Sequence, residues 1–359
     1  MNTDIVKRMK NRRLRSKAIT YLIVAAFYVV VQILIHTGNL SSLLTGLLVP
    51  ICVYVIAAVS LNLVVGISGE LSLGHAGFMC IGAYSSAFLS NAIGSGMPDM
   101  LRFILAILTG AVFAGLFGLL IGIPVLRLKG DYLAIVTLAF GEIIKNLMNI
   151  VYVGIDSKGL HFSTTTAMDL HMEPTGKQII KGALGISGTP KNSNFTVGVL
   201  LILLTLFIVQ NLIDSRSGRA VMAARDNRIA AESIGIPVTK FKLLAFTVSA
   251  ALAGVAGVLY SHNLATLNTK KFDYNTSILV LVFVVLGGTG NIRGSMIAAV
   301  ILTALPEMLR FLSNYRMLIY AIVLIIMMLF NWAPAAREWR ERMVNKLPFG
   351  RKKAGKEEV

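Results

Sequence analysis

The stretch "VVGISGELSLGHAGF", residues 64–78, interrupts an otherwise apolar chain. Apolar residues run almost unbroken from Leu43 to Val65, and another apolar run begins at Phe78. Between them stand Gly66, Gly69, Glu70, Ser72, Gly74, His75 and Gly77, far more polar and flexible residues than a connection needs. Irregular backbone at bilayer depth survives only where protein or water satisfies its freed N–H and C=O groups. The stretch is therefore read in two ways. It lines or gates a conduit, or it is a tight turn at the membrane edge.

Both readings require a membrane protein, and the composition demands one. Of 359 residues, 55% are hydrophobic and 14% charged, where soluble domains carry roughly a quarter charged residues. The net charge of +17 is not a nucleic-acid signature, because Lys and Arg gather at the two ends and in one internal segment. Orientation by basic cytoplasmic segments explains that distribution. Cys52 and Cys80 both lie in apolar runs and read as buried small hydrophobes. The basic arm 1–17 leads into an apolar run that is long enough to span and is read as a first helix, not a removable signal.

A span needs about 20 apolar residues. Candidates are 18–36, 43–65, 74–93, 102–123, 132–153, 195–213, 243–261, 274–287, 295–312 and 316–332. The expected fold is an all-α polytopic membrane protein of about ten helices, some broken. Its parts are the cytoplasmic arm 1–17, the membrane domain 18–332 and a basic cytoplasmic tail 333–359. With the N-terminus inside, alternation places 24 of the 34 Lys and Arg in inside segments, as the positive-inside rule requires. The segment 154–194 is then an external loop. Rows of small residues, Gly110/Ala114/Gly118/Gly122 and Ser249/Ala253/Gly257/Ser261, predict close helix packing.

Residues 214–242, "DSRSGRAVMAARDNRIAAESIGIPVTKFK", form the longest polar insertion assigned to the inside. As one helix, it puts Arg225, Arg228 and Glu232 on one face and Ala223, Ala224, Ala230, Ala231 and Ile234 on the other. An interfacial anchor would carry Trp, Phe or Leu on its apolar face, so the alanines favour docking on a partner over lying among headgroups. Gly235 and Pro237 end the helix.

Four stretches, "SLNLVVGISGELSLGHAGFMCIGAY", "RLKGDYLAIVTLAFGEI", "GRAVMAARDNRIAAESIGIPVTKFKLLAFTVSAALAGVAGVLY" and "LVFVVLGGTGNIRGSMIAAVIL", stand in this order. Together they resemble the permease subunits of branched-chain amino acid ABC importers, the LivM type more than its LivH sister. The resemblance implies a cytoplasmic coupling helix seated on an ATPase. Its "E-A-A, three residues, G" pattern is met by Ala230, Ala231 and Gly235, while Ile229 stands where the glutamate would be. Arg225, Asp226, Arg228 and Glu232 are the polar candidates for that contact. It further implies a LivH-like second permease chain, two ATPase subunits carrying ATP-Mg, an extracytoplasmic binding protein and a bacterial inner-membrane location with both termini cytoplasmic. No cofactor is expected on this chain, and no nucleic-acid partner.

The chain has no G-x-x-x-x-G-K-[ST], H-E-x-x-H or G-x-S-x-G and no Cys/His metal spacing, so no enzyme activity is expected of it. Pathway candidates are Gly69, Glu70, Ser72 and His75 in the first break and Gly288 and Gly290 in a second, "VVLGGTGNIRGSMIA", residues 284–298. Paired broken segments in two halves point to a transport site. Glu142 and Lys145, three apart in one span, are either a bundle-holding ion pair or pathway residues. Two alternatives stand beside a branched-chain amino acid importer. One is a urea or amide permease of the same family, the other an ion-coupled secondary transporter, which would have no ATPase to engage.

Overall fold

The computed structural model describes residues 3–38, 41–94, 96–128, 132–173, 176–310 and 315–332. Helices account for most of them: α1 Thr3–His36, α2 Ser42–Asn62, α3 His75–Ile93, α4 Asp99–Val125, α5 Tyr132–Ile150, α6 Phe195–Asp214, α7 Arg216–Asp226, α8 Arg228–Ser233, α9 Val238–Ser261, α10 Tyr274–Gly287, α11 Ile292–Met308 and α12 Arg316–Trp332. The chain divides into two units, 1–303 and 304–359. The tail 333–359 lies outside the described residues.

Seven helices among the described residues are long and apolar enough to cross a membrane, so the chain is a polytopic, predominantly α-helical membrane protein. Seven of the ten expected spans are matched by these helices. The last three candidates coincide with α10, α11 and α12, of 14, 17 and 17 residues, and a span needs about 20. α1 is also longer than expected. It continues the span back through the basic arm as one 34-residue helix.

In the first unit, α9 is the central post and packs against α2, α3 and α4. The small-residue rows make this contact. A Cβ on Gly254 would stand 2.5 Å from Ala114 Cβ, and one on Gly257 would stand 2.0 Å from the Met79 carbonyl oxygen. Without a hydrophobic driving force between helices in lipid, this backbone proximity supplies the dispersion that holds them. Hydroxyls add cross-links: Ser249 Oγ donates to Ser60 O at 2.6 Å, and Ser86 and Ser261 meet at 3.3 Å.

The segment 154–194 is not an irregular loop. It carries four short strands, β1 Tyr152–Asp156, β2 Gly159–Ser163, β3 Lys177–Lys181 and β4 Ile186–Ser187, and a fifth, β5 Thr266–Leu267, follows α9. They form one antiparallel sheet in the order β2-β1-β3-β4-β5. Asp156 closes the β1–β2 turn by accepting from the Lys158 and Gly159 amides at 2.8 and 3.1 Å. Desolvation acts to raise its carboxyl, yet the amides of Glu173 and Lys158 and the His161 imidazole hold it below the ordinary carboxylate range. The sheet gathers at the C-terminal ends of α5 and α9. The α7–α8 segment joins the N-terminal end of α9, about 36 Å away along a 24-residue helix.

Candidate functional site

The break at 64–78 begins as a change of helical hand-hold, not as a loop. After Asn62 the chain winds into a π-turn, Leu63–Ser68, closed by Gly69 at φ +74°. A π-turn advances the hydrogen-bond partner by one residue and leaves carbonyls without their usual donors. Here the amides of Gly69 and Glu70 both reach Val64 O, and the carbonyl of Gly66 is left to others.

Two side chains fasten the break, and one of them takes up the freed Gly66 carbonyl. Asn62, fully buried, lies inside what reads as a plain apolar run. Its Nδ2 donates to Ser295 Oγ at 2.8 Å and its Oδ1 accepts from the Gly290 amide at 2.8 Å. One side chain thus joins the first break to the second, which turns between α10 and α11 with Gly288 at φ +92° and Gly290 at φ +81°. Gly66 permits the join: a Cβ there would meet Asn62 Oδ1 at 1.9 Å and Gly290 N at 2.2 Å.

The second partner comes from 214–242. Arg225 Nη1 donates to Gly66 O at 2.9 Å, while its Nε and Nη2 hold Asp226 Oδ1 at 3.0 and 2.8 Å. Its stem lies across Gly69, where a Cβ would stand 2.6 Å from Arg225 Cγ. At the end of the segment, in the first turns of α9, Lys242 pairs with Glu70. Both are mostly buried, with side-chain exposures of 10% and 18%. The break is therefore held by the segment at Gly66 and by α9 at Glu70.

The segment itself departs from the single helix expected. Asn227 adopts extended backbone (φ −154°, ψ 106°) and caps α8 by accepting from the Ala230 amide, so α7 and α8 meet at a corner. The corner divides the alanine face. Ala224 and Ala231 turn inward and are buried with Val238 and Ile236. Ala230 and Gly235 stay exposed, as do Ile229 and Ile234, at 80% and 76%. Arg228 and Glu232 pair with each other at 2.9 Å on the exposed side. The outward surface is therefore two isoleucines framed by an ion pair.

The remaining candidates separate. His75 and Ser72 are buried; His75 Nε2 meets Ser60 Oγ at 2.7 Å. The Ala76 amide donates to Ser277 Oγ at 3.0 Å, so the start of α3 is tied to α2 and α10. Glu142 and Lys145 form an ion pair at 2.5 Å, and Glu142 also accepts from the Tyr274 amide at 3.1 Å, binding α5 to the first turn of α10. Asp273 caps α10. Partial burial acts to raise its carboxyl, but hydrogen bonds from Asn275 and Thr276 hold it below the usual carboxylate range. Sequence reasoning missed Asn62, Lys242 and Ser295. The signal for Asn62 was present, since a lone amide within an apolar run is costly unless it is partnered.

Residues 43–328 match the family described as "Branched-chain amino acid transport system / permease component". The chain belongs to this family. Over 297 residues this permease is 38% identical to the high-affinity branched-chain amino acid transport system permease protein LivM of Salmonella typhimurium, covering 79% of the chain and 67% of that relative. The LivM protein of Escherichia coli is 36% identical over the same shares. The LivH protein of Salmonella typhimurium is more distant, at 24% over 69% of the chain and 79% of that relative. No solved structure matches this permease.

Proposed function

We propose that this permease carries branched-chain amino acids inward as one half of a heterodimeric ABC importer. Its companions in this reading are a LivH-like second chain, two ATPase subunits that bind and hydrolyse ATP-Mg, and an extracytoplasmic binding protein that supplies selectivity. The chain itself catalyses no reaction and holds no cofactor. It sits in the bacterial inner membrane with both termini in the cytoplasm, its membrane domain running over 18–332. The α7–α8 segment is the coupling element, and the break 66–75 with the turn 288–290 forms the inner end of the conduit.

The observation that carries this reading is the Arg225–Gly66 hydrogen bond. A polar segment outside the spans is tied directly to the irregular backbone inside them. Movement imposed on α7–α8 by nucleotide-driven closure of the ATPases reaches the break without passing through a flexible linker. A secondary transporter has no use for such a lever. Ile229 and Ile234, with the Arg228–Glu232 pair, supply the surface that meets the ATPase. Arg225, through its bond to Gly66, and the buried Ala231 work on the inner side, and the exposed Asp226 steadies Arg225.

Two experiments test it. Co-purification with a LivH-like chain, two ATPases and a binding protein should yield one complex; uptake by this chain alone refutes the proposal. Labelled leucine and urea, offered to a strain deleted for this gene, separate the amino acid reading from the amide one, with leucine uptake lost and urea uptake kept.

A further inference from the structure

On the sheet side of the first unit, α4 and α5 part. α5 leans on α3 and hardly meets α4, and a cleft of about 470 Å³ lies between them. α3 is its floor, Phe113 and Phe117 of α4 and Leu147 of α5 stand in its walls, and Leu160 of β2 closes one end. The lining is almost wholly apolar. Ser85 and Thr109, both part of it, turn their hydroxyls back to Ile81 O and Ala106 O of their own helices, at 2.7 and 3.0 Å. From Thr109 to Phe117 the cleft runs about 12 Å along α4. Its volume over that length gives a cross-section of about 40 Å², or about 7 Å across. A helix with its side chains needs about 10–12 Å, so a partner's helix is too broad to enter. An extended hydrocarbon chain, limited only by carbon contacts of about 4 Å, is not.

The sheet shows what medium the cleft meets. One cross-strand row, Phe162–Val153–Ile180–Ile186–Leu267, crosses all five strands, and residues opposite one another share a face. Every member is apolar. Val153, Ile180, Ile186 and Leu267 are buried, at 7% exposure or less, but Phe162 is 61% exposed. Leu160, two residues earlier and so on the same face, is 60% exposed. The neighbouring row on the other face is Ser163–Tyr152–Lys181. The apolar face of the sheet therefore runs past the edge of the bundle at β2, where Leu160 closes over the cleft. Apolar patches of this kind mark contact with a membrane or a protein, and depth decides between them. Thr109–Phe117 is the middle of the 27-residue span α4. The rim of the cleft, Phe113 and Leu147, continues the exposed apolar surface of α4 and α5.

We propose that this cleft holds an acyl chain of a membrane phospholipid, drawn from the leaflet on the sheet side, with Leu160 and Phe162 set into the same leaflet above it. The chain supplies the packing that α4 does not give to α5. Glu142 of α5 accepts from the first turn of α10, so the lipid braces the helix that steadies α10. The inference depends neither on the solute carried nor on the ATPases.

Native mass spectrometry of the full-length chain in detergent, titrated with dioleoyl phosphatidylcholine, tests it. A phospholipid should be retained. Ser85→Phe and Thr109→Trp each fill the cleft and should lower its retention at least about fivefold, as overpacking of an occupied site does. Leu120→Trp, on the exposed side of α4 and outside the cleft, should leave retention unchanged. A second measurement places β2, and it decides the matter if the filling variants do not fold. With Trp332 and Trp339 replaced by Phe, Phe162→Trp should be quenched in vesicles of chain-brominated phosphatidylcholine, while Lys181→Trp, on the other face of the sheet, should not. Absence of any retained lipid overturns the proposal, as does wild-type retention by both filling variants. So does quenching of Phe162→Trp no stronger than that of Lys181→Trp. Release of the lipid on assembly with a second permease chain overturns it too, because the cleft would then be a protein interface.

Discussion

Replacing Arg225 by Met keeps the apolar stem over Gly69 and removes every donor. Gly66 O loses its 2.9 Å bond, and the adjacent Asp226 loses its partner. A hydrogen bond to a charged group contributes about 1.5–3 kcal/mol. The Arg225 side chain is 37% exposed, so solvent screening brings this towards about 1–2 kcal/mol. The exposed Arg225–Asp226 pair adds almost nothing. The gripped state should then lose occupancy by about 5- to 30-fold, at about 1.4 kcal/mol per factor of ten. In proteoliposomes holding the assembled importer, leucine uptake should fall by up to that factor while ATP hydrolysis continues, because the outward surface at Ile229 and Ile234 is untouched. Asp226→Asn spares the bond to Gly66 and should stay within about twofold of wild type, as expected for an exposed pair. Wild-type uptake by Arg225→Met, at equal complex yield, refutes the reasoning. So does a parallel loss of hydrolysis and uptake, which would place Arg225 on the ATPase side.

Gly66→Ala drives a methyl into Asn62 Oδ1 and the Gly290 amide, and neither can step aside without breaking the join. A loss of about 1–3 kcal/mol is expected, read as a lower thermal unfolding midpoint together with reduced uptake. Glu70→Leu leaves Lys242 mostly buried without its partner, at a cost of about 3–5 kcal/mol. Adding Lys242→Met should recover most of the lost stability, and a double variant as unstable as the single one would contradict this. Asp156 has a depressed carboxyl, so its contribution is present above the unfolded value and lost as pH falls through the folded one. The protection of the Lys158 and Gly159 amides from exchange, relative to the free-peptide rate at each pH, should fall as pH drops below the ordinary carboxylate range, and Asp156→Asn should abolish that pH dependence.

The spans, the two breaks and the polar segment were legible because each has a local cause: run length, glycine clustering and charge density. The pairing of the breaks was legible too, but its agent was not. Asn62 acts on Gly290 and Ser295 from more than two hundred residues away, and no periodicity encodes such a contact. The corner at Asn227 was missed because the alanine pattern continues through it. Only the cap on Ala230 shows that α8 starts afresh, and this turns Ala231 inward beside an exposed Ala230. The sheet was illegible for another reason. Its strands have two to five residues, and β5 follows α9 in the chain, so the β4–β5 pairing joins residues some eighty positions apart that no local pattern connects.

The grip on the break has a mechanical consequence. Gly66 O and the Glu70 carboxylate lie four residues apart, and they are held by Arg225 and by Lys242, before and after the corner at Asn227. Two pinned points define a line. A segment fastened at both cannot slide along the membrane or lift away from it without breaking one fastening, but it can roll about that line. The exposed Ile229 and Ile234 lie between the two fastenings in the chain, so a displacement of that surface that keeps both must be a rotation and not a slide.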